Sequence, residues 1–243
     1  MNLVIDLGNT WAKAGLFSER ELVKSFVFDK NASNEIKKIL SETPDIKRSL
    51  VSSVISHSKE ITNILQNKTL CIDFDSNIRL PFKITYHTPE TLGKDRIAAA
   101  AGAIALYPAK PLLIIDAGTC MKYNFVNEKE EFYGGAISPG LDMRFKSLNV
   151  FTDRLPHLSY EKDFSDVIGT STAGSILSGV QQGLLFEAAG YIKNFKEKNK
   201  EGIVIATGGN LPFLVDGLKN SIFAAPDLIL SGLNEILLYH HKS

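Results

Sequence analysis

The chain states one pattern twice. Leu3-Val4-Ile5-Asp6-Leu7-Gly8-Asn9-Thr10 stands near its start, and Leu113-Ile114-Ile115-Asp116-Ala117-Gly118-Thr119-Cys120 returns after the linker-like Pro108-Ala109-Lys110-Pro111. Each copy is a short β-branched run, expected to be a buried strand, that ends in Asp-x-Gly and a hydroxyl residue. Apolar residues resume after each (Ala14-Gly15-Leu16-Phe17 and Tyr123-Asn124-Phe125-Val126), so each predicts a hairpin whose turn carries the polar groups. This duplication predicts two α/β halves of similar build, 1–110 and 111–243, flanking a cleft where a ligand would sit.

Weaker echoes extend the duplication. Ser49-Leu50-Val51-Ser52-Ser53-Val54 in the first half corresponds to Ile203-Val204-Ile205-Ala206-Thr207-Gly208-Gly209 in the second, and each follows a segment with helical spacing. Residues 34–40 put Ile36, Ile39 and Leu40 on one helical face; residues 171–195 do the same with Ile176, Leu177, Val180, Leu184, Ala188, Tyr191 and Phe195. Gly174, Gly179, Gly183 and Gly190 share that second stretch, and since glycine is costly inside a helix they point to close helix packing. Thr88-Pro89-Glu90 reads as a helix start with threonine as cap and proline first. Gly93-Lys94-Asp95-Arg96 then interrupts and opens an alanine-rich helix that runs to Tyr107.

Charge and composition exclude several partners. Lys+Arg 27 balances Asp+Glu 27, so no basic surplus favours a nucleic-acid backbone. Cys71 and Cys120 are far apart and belong to no CxxC, which argues against a disulfide framework or a cysteine-built zinc site. The longest apolar stretch, 97–107, falls short of the ~18 residues a membrane helix needs. Asp6 and Asn9 stand where a secretory leader has its basic start and apolar run, so the expected compartment is the cytoplasm.

The polar turns carry the candidate chemistry. Asp6-Leu7-Gly8-Asn9-Thr10 with Lys13, and Asp116-Ala117-Gly118-Thr119, suit a nucleotide held from two sides. Glycine lets backbone N–H groups approach phosphate oxygens and threonine adds a neutral donor. Aspartates at strand ends would be repelled by phosphate, and make sense as ligands, direct or through water, of cations that neutralise it. Thr207-Gly208-Gly209-Asn210 suits the close approach of an adenosine, and Gly134-Gly135-Ala136-Ile137-Ser138-Pro139-Gly140 suits a phosphate cover or a pocket wall. Asp95 reads either as a general base for a hydroxyl or as the N-cap of the helix it precedes. Arg96 reads either as an orienter of an anionic substrate or as a surface residue. No GxxxxGK[ST], strand-borne GxGxxG or GxSxG is present, so Walker-type NTPases, dinucleotide dehydrogenases and serine hydrolases lose ground, and no HExxH suggests structural zinc.

In this order the motifs resemble the phosphate-1, phosphate-2 and adenosine motifs of the acetate/sugar kinase, heat-shock 70 and actin superfamily. Within it the chain is similar to the type III pantothenate kinases along nearly its whole length. Asp6-x-Gly8-Asn9-Thr10 with Lys13 comes first, then Tyr86-x-x-Pro89 and Gly93-x-Asp95-Arg96. Asp116-x-Gly118-Thr119, Gly134-Gly135-x-Ile137-x-Pro139-Gly140, Thr172 ahead of a long helix, and Thr207-Gly208-Gly209 follow. The resemblance implies two duplicated ribonuclease H-like (actin-like ATPase) domains and ATP-dependent phosphorylation of pantothenate, the entry to coenzyme A. It implies ATP binding by Asp6, Leu7, Gly8, Asn9, Thr10, Trp11, Ala12, Lys13 and Thr119. Asp95 would accept the proton, and Tyr86, Gly93, Lys94, Asp95, Arg96 and Thr172 would hold pantothenate. Asp116 would serve a K⁺ or NH₄⁺ site, with Mg²⁺ accompanying ATP, in a cytoplasmic homodimer that binds neither nucleic acid nor membrane.

One stretch departs from the family pattern, which carries small residues and an aspartate after the second Gly-Thr. Here Cys120-Met121-Lys122-Tyr123-Asn124 stands instead. Asn124 leaves less negative charge near the expected cation, and Lys122 either offsets charge or points to solvent. Rival readings are another small-molecule kinase or phosphatase of the superfamily, and a nucleotide-binding regulatory protein without catalysis.

Overall fold

Strand β1 (Asn2–Leu7) and strand β2 (Ala12–Ser18) form the first predicted hairpin, and β3 (Glu21–Phe28) extends it antiparallel. The computed structural model describes residues 1–8, 11–29, 32–53, 58–75, 78–219 and 221–241; Asn9, Thr10, Val54 and His57 lie outside the described residues. Helix α1 (Ser33–Glu42) buries Ile36 and Ile39, as their spacing requires, and leads to β4 (Arg48–Ser53), parallel to β1. Helix α2 (Ser58–Gln66) and β5 (Leu70–Asp73) complete a five-stranded sheet of order β3-β2-β1-β4-β5.

The short β6 (Lys83–Ile84) and a 3-10 turn at Pro89–Thr91 precede α3 (Lys94–Leu106). Thr88 occupies the cap position of that turn without a side-chain cap bond. Alanine-rich α3 is apolar all round and buried from Arg96 to Ile104, as a helix covered on all sides must be. Strands β7 (Leu112–Ala117), β8 (Cys120–Val126) and β9 (Glu131–Pro139) rebuild the hairpin meander. Helix α4 (Leu141–Val150) follows. Helix α5 (Thr172–Leu177), a π turn (Ser178–Gln182) and α6 (Gly183–Lys198) form the predicted long helix. Strand β10 (Ile203–Thr207), α7 (Leu211–Gly217), β11 (Phe223–Ala224) and α8 (Leu228–His241) close the chain's described course.

The second sheet has the order β11-β10-β7-β8-β9-β6. Without its edge strand β6 it repeats the first sheet position for position, with β7, β8, β9, β10 and β11 standing where β1 to β5 stand. The duplication read from two octapeptides is a duplication of whole topology.

The compact units cut the chain differently from 1–110 and 111–243. One comprises Met1–Ala109, Lys129–Tyr133 and Asp227–Ser243; the other comprises Lys110–Glu128 and Gly134–Pro226. Helix α8 belongs to the first because it packs on α3 and on β1, β2 and β4. Buried Asn234 fixes it there: Asn2 Nδ2 donates to Asn234 Oδ1 at 2.9 Å, and Asn234 Nδ2 donates to the Glu19 carbonyl at 2.7 Å. The first unit's core gathers Leu3, Ile5, Ile36, Ile39, Val51 and Leu65; the second gathers Leu113, Ile115, Tyr123, Phe145, Leu184 and Phe195.

Close helix packing occurs, but elsewhere than the sequence indicates. A Cβ on Gly232 of α8 would lie 1.8 Å from the Ala98 carbonyl oxygen, and one on Gly102 of α3 would lie 2.4 Å from that of Leu228. Gly179, Gly183 and Gly190 have nothing within 4 Å of a built Cβ, so their cost is not repaid by packing within the chain. Among the described residues no helix is long and apolar enough to cross a membrane.

Candidate active site

In the first unit the β1–β2 hairpin sets Asp6 directly across from Lys13. The Gly8 N–H donates to the Trp11 carbonyl at 3.1 Å, Ala12 is buried, and Trp11 stands 58% exposed at the tip. Parallel pairing also sets Ser52 beside Asp6; its buried hydroxyl has no hydrogen-bond partner among the described residues, and no sequence pattern marked it.

The start of α3 corrects two expectations. The N-cap is Gly93, not Asp95, and Asp95 lies inside the first turn, where its Oδ1 accepts the Arg96 N–H at 2.9 Å. An acid there is favoured by the helix dipole. A Cβ on Gly93 would lie 2.5 Å from Asp95 Oδ1, so glycine leaves room for that carboxylate. Arg96 is not a surface residue: it is 5% exposed, with its guanidinium carbon 5.7 Å from the Tyr86 ring and 5.4 Å from the Phe132 ring. Tyr86 and Phe132 meet edge-on at 6.1 Å. A planar guanidinium set over two aromatic rings is held in orientation, which a flexible ammonium would not be. Tyr86 and Arg96 were expected; Phe132 reaches them from a distant hairpin and left no sequence signal. Lys94 opens the helix, half-buried.

In the second unit three glycine-bearing loops converge. The Gly118 N–H donates to the Cys120 carbonyl, the Gly140 N–H to the Thr119 carbonyl, and the Asn210 N–H to the Ala117 carbonyl. A Cβ on Gly140 would lie 2.4 Å from the Gly118 oxygen. Gly208, at φ +101°, would put one 2.5 Å from the Ala117 oxygen and 2.6 Å from Asp116 Oδ1. Glycine is required at both positions by close backbone approach, and at Gly208 by the left-handed φ as well. The Asp-x-Gly turn, the glycine-rich loop and the Thr-Gly-Gly turn are therefore one cradle, with Thr119 exposed in it. Asp116 is buried beneath, its Oδ2 2.6 Å from Lys122 Nζ.

Thr172 is the first residue of α5, exposed, after an N-cap Ser171 whose Oγ accepts the Gly174 N–H at 3.0 Å. With Arg144, Ser147, Ser175, Gly179 and Val180 it lines a cavity of about 680 Å³. Beside that cavity Arg144 pairs with Glu187, which also accepts from the Tyr123 hydroxyl at 2.9 Å and the Ser138 hydroxyl at 2.5 Å. Burial alone would raise the Glu187 pKa; the bonds from Ser138, Arg144 and Tyr123 outweigh it and hold it below its ordinary value. Burial and Glu187 together push the Tyr123 hydroxyl far up. Sequence reading missed this network because a lone glutamate in an amphipathic helix has no distinguishing spacing.

Solved structures share this architecture. A Campylobacter jejuni chain described as a Baf family transcriptional activator aligns at TM-score 0.66 and 22% identity, covering 99% of this chain and 100% of that one. The Streptomyces griseus ROK family glucokinase aligns at TM-score 0.56 and 11% identity, covering 100% and 99%. At such identities the likeness is one of fold, and the fold is that of the actin-like ATPases and sugar kinases, two ribonuclease H-like sheets each ending in an Asp-Gly turn. A family model described as type III pantothenate kinase matches residues 2–194. The type III pantothenate kinases of Christiangramia forsetii and Phocaeicola vulgatus are 45% and 40% identical to the chain. The first match covers 99% of each chain and the second 100% of each. The chain belongs to the type III pantothenate kinase family.

Proposed function

We propose that this chain transfers the γ-phosphoryl group of ATP to the primary alcohol of pantothenate, giving 4'-phosphopantothenate and ADP, and does so in the cytoplasm. The observation that carries the reading is the match to type III pantothenate kinases over 99% of both chains. The two duplicated Asp-Gly turns and the Gly93–Arg96 segment supply matching chemistry.

ATP is held by 6–13, including Asp6, Gly8 and Lys13, and by Thr119. Pantothenate is held by Tyr86, Gly93, Lys94, Asp95, Arg96 and Thr172. Arg96, fixed over two rings, takes the carboxylate of pantothenate, for which a rigid fork is suited. The pantothenate alcohol attacks the γ-phosphorus in line, Asp95 accepts its proton, and ADP leaves. Because phosphoryl transfer is loose, positioning and charge neutralisation carry most of the rate.

No cluster of three or more His, Cys, Asp or Glu side chains occurs among the described residues. Mg²⁺ would arrive on ATP phosphates and take one or two carboxylates, such as Asp6. It would neutralise charge on the transferring phosphoryl group. The K⁺ or NH₄⁺ expected at Asp116 fits less well, since Lys122 already stands on that carboxylate.

Incubation with Mg-ATP and, separately, pantothenate, sugars or acetate tests the reading by product mass. Phosphopantothenate is the expected product; turnover of a sugar or acetate with pantothenate untouched would assign the chain to the rival kinase class.

The working form is a homodimer. Gly179, Gly183, Phe186 and Gly190 fall on one helical face, where the three glycines meet nothing and Phe186 is 59% exposed. An unfilled face with an exposed aromatic is what a second copy would cover. A Cβ at Gly183 meets nothing within 4 Å, so light scattering should show a dimer for the wild type and a monomer for Gly183→Leu, with the melting curve of the variant remaining cooperative. A monomeric, fully active wild type would overturn the dimer.

A further inference from the structure

We propose that the ammonium of Lys122 is the resident cation of the second Asp-Gly turn, so that this chain works without added K⁺ or NH₄⁺. The inference rests on the placement of ATP phosphates at the two turns proposed above, and concerns how their charge is met.

Register makes the assignment. In the β7–β8 pair Lys122 lies directly across from Asp116, and its Nζ stands 2.6 Å from Oδ2. The side chains are only 19% and 6% exposed, so water screens the pair weakly. One carboxylate against one ammonium is a neutral unit. A free monovalent cation approaching Oδ2 would meet like charge at contact distance. Asn124, two residues along β8 on the same strand face, is fully buried and neutral.

The duplication supports the same conclusion. In the first hairpin the cross-strand partner of Asp6 is Lys13; in the second the partner of Asp116 is Lys122. Sequence spacing conceals the equivalence because residues 8–11 separate the paired strands in one hairpin and 118–120 in the other. Each half therefore carries one carboxylate and one lysine at the strand ends beside its glycine turn.

The other carboxylate oxygen aims the charge. Asp116 Oδ1 faces Gly208, where a Cβ would approach it to 2.6 Å. Oδ2 is held by lysine and Oδ1 lies under the cradle of Gly118, Gly140 and Gly208. A lysine head is a substituted ammonium, equal in charge to K⁺ and NH₄⁺ and close to them in size. It delivers the same field without having to be captured from solution.

The test compares wild type with Lys122→Ala and Lys122→Met, at constant ionic strength, in K⁺, NH₄⁺, Na⁺ and tetramethylammonium. Wild-type rates are expected to be equal in all four salts. Lys122→Ala, which opens an ammonium-sized space, should lose on the order of 10²-fold in kcat/KM for ATP in Na⁺ and regain much of it in K⁺ or NH₄⁺. Lys122→Met, which fills the space without charge, should lose as much and regain nothing. Titration with Tl⁺, followed by thallium NMR in the presence of Mg-AMPPNP, reads occupancy without turnover. Wild type should show no saturable site and Lys122→Ala should gain one. Stimulation of wild type by K⁺ or NH₄⁺, or a saturable Tl⁺ site in it, overturns the proposal, as does a Lys122→Ala protein that gains no site. If pantothenate is not phosphorylated in any salt, the assigned reaction fails while the Tl⁺ titration still decides Lys122.

Discussion

Replacing Asp95 by asparagine is expected to lower kcat for pantothenate phosphorylation by roughly 10²–10⁴-fold, the loss typical of a removed general base. The fold should not notice. Asparagine keeps an Oδ1 that can accept the Arg96 N–H, now a 2.9 Å bond, and Gly93 keeps the space around it. The cap of α3 is Gly93, so no capping role is lost. Weakened interaction with the helix dipole costs about 0.3–1 kcal/mol, too little to explain such a rate loss. ATP affinity should hold, because the hairpin of Asp6 and Lys13 and the turn of Thr119 are untouched. Steady-state kinetics with a thermal melt on the same sample checks this. A variant within a few-fold of wild type would reduce Asp95 to a first-turn carboxylate that serves the helix alone.

Gly232→Ala is expected to act in the opposite manner, through stability. Its methyl would stand 1.8 Å from the Ala98 carbonyl oxygen and 2.8 Å from the Gly102 nitrogen. All these atoms are backbone and cannot rotate aside, so α8 and α3 must separate. Overpacking of this kind costs about 3 kcal/mol, roughly 6–12 °C in Tm for a chain of this size. Because α3 begins at the Gly93–Arg96 segment, its displacement should also raise KM for pantothenate before the protein melts. Differential scanning calorimetry reads the first effect and kinetics well below Tm the second. An unchanged Tm would show that the two helices pack less tightly than their glycines require.

The sequence disclosed the elements whose information is local. Hairpins at Asp6 and Asp116 follow from β-branched runs ending in Asp-x-Gly, and α3 follows from its alanines. Both turns proposed to contact phosphate were visible for the same reason. What was hidden depends on partners distant along the chain. Gly102 and Gly232 are separated by the whole second unit, so nothing in either neighbourhood marks them as a contact. Gly179, Gly183 and Gly190, which stood together with Gly174 and invited that reading, have nothing within 4 Å of a built Cβ. Phe132 reaches Arg96 because the short stretch Lys129–Tyr133 belongs to the first unit, though the chain on either side of it belongs to the second. Lys122 was seen but not aimed: its direction follows from strand register, which a one-residue difference in turn length is enough to disguise. Asp95 was displaced from cap to first turn by one early helical residue, Lys94, and that shift leaves its carboxylate beside a buried arginine.

The attachment of α8 to the first unit has a consequence for synthesis. A ribosome completes 110–128 and 134–226 before it reaches the helix that covers β1, β2, β4 and α3. The earlier-made unit must therefore wait, its apolar α3 uncovered, while the later-made one has all its own chain in hand. The unit begun first is the one whose chain is completed last. Loss of residues 227–241 would accordingly register as damage to the unit made first, exposing α3 and unseating Asn2 from Asn234, while leaving the glycine cradle of the other unit with every residue it needs.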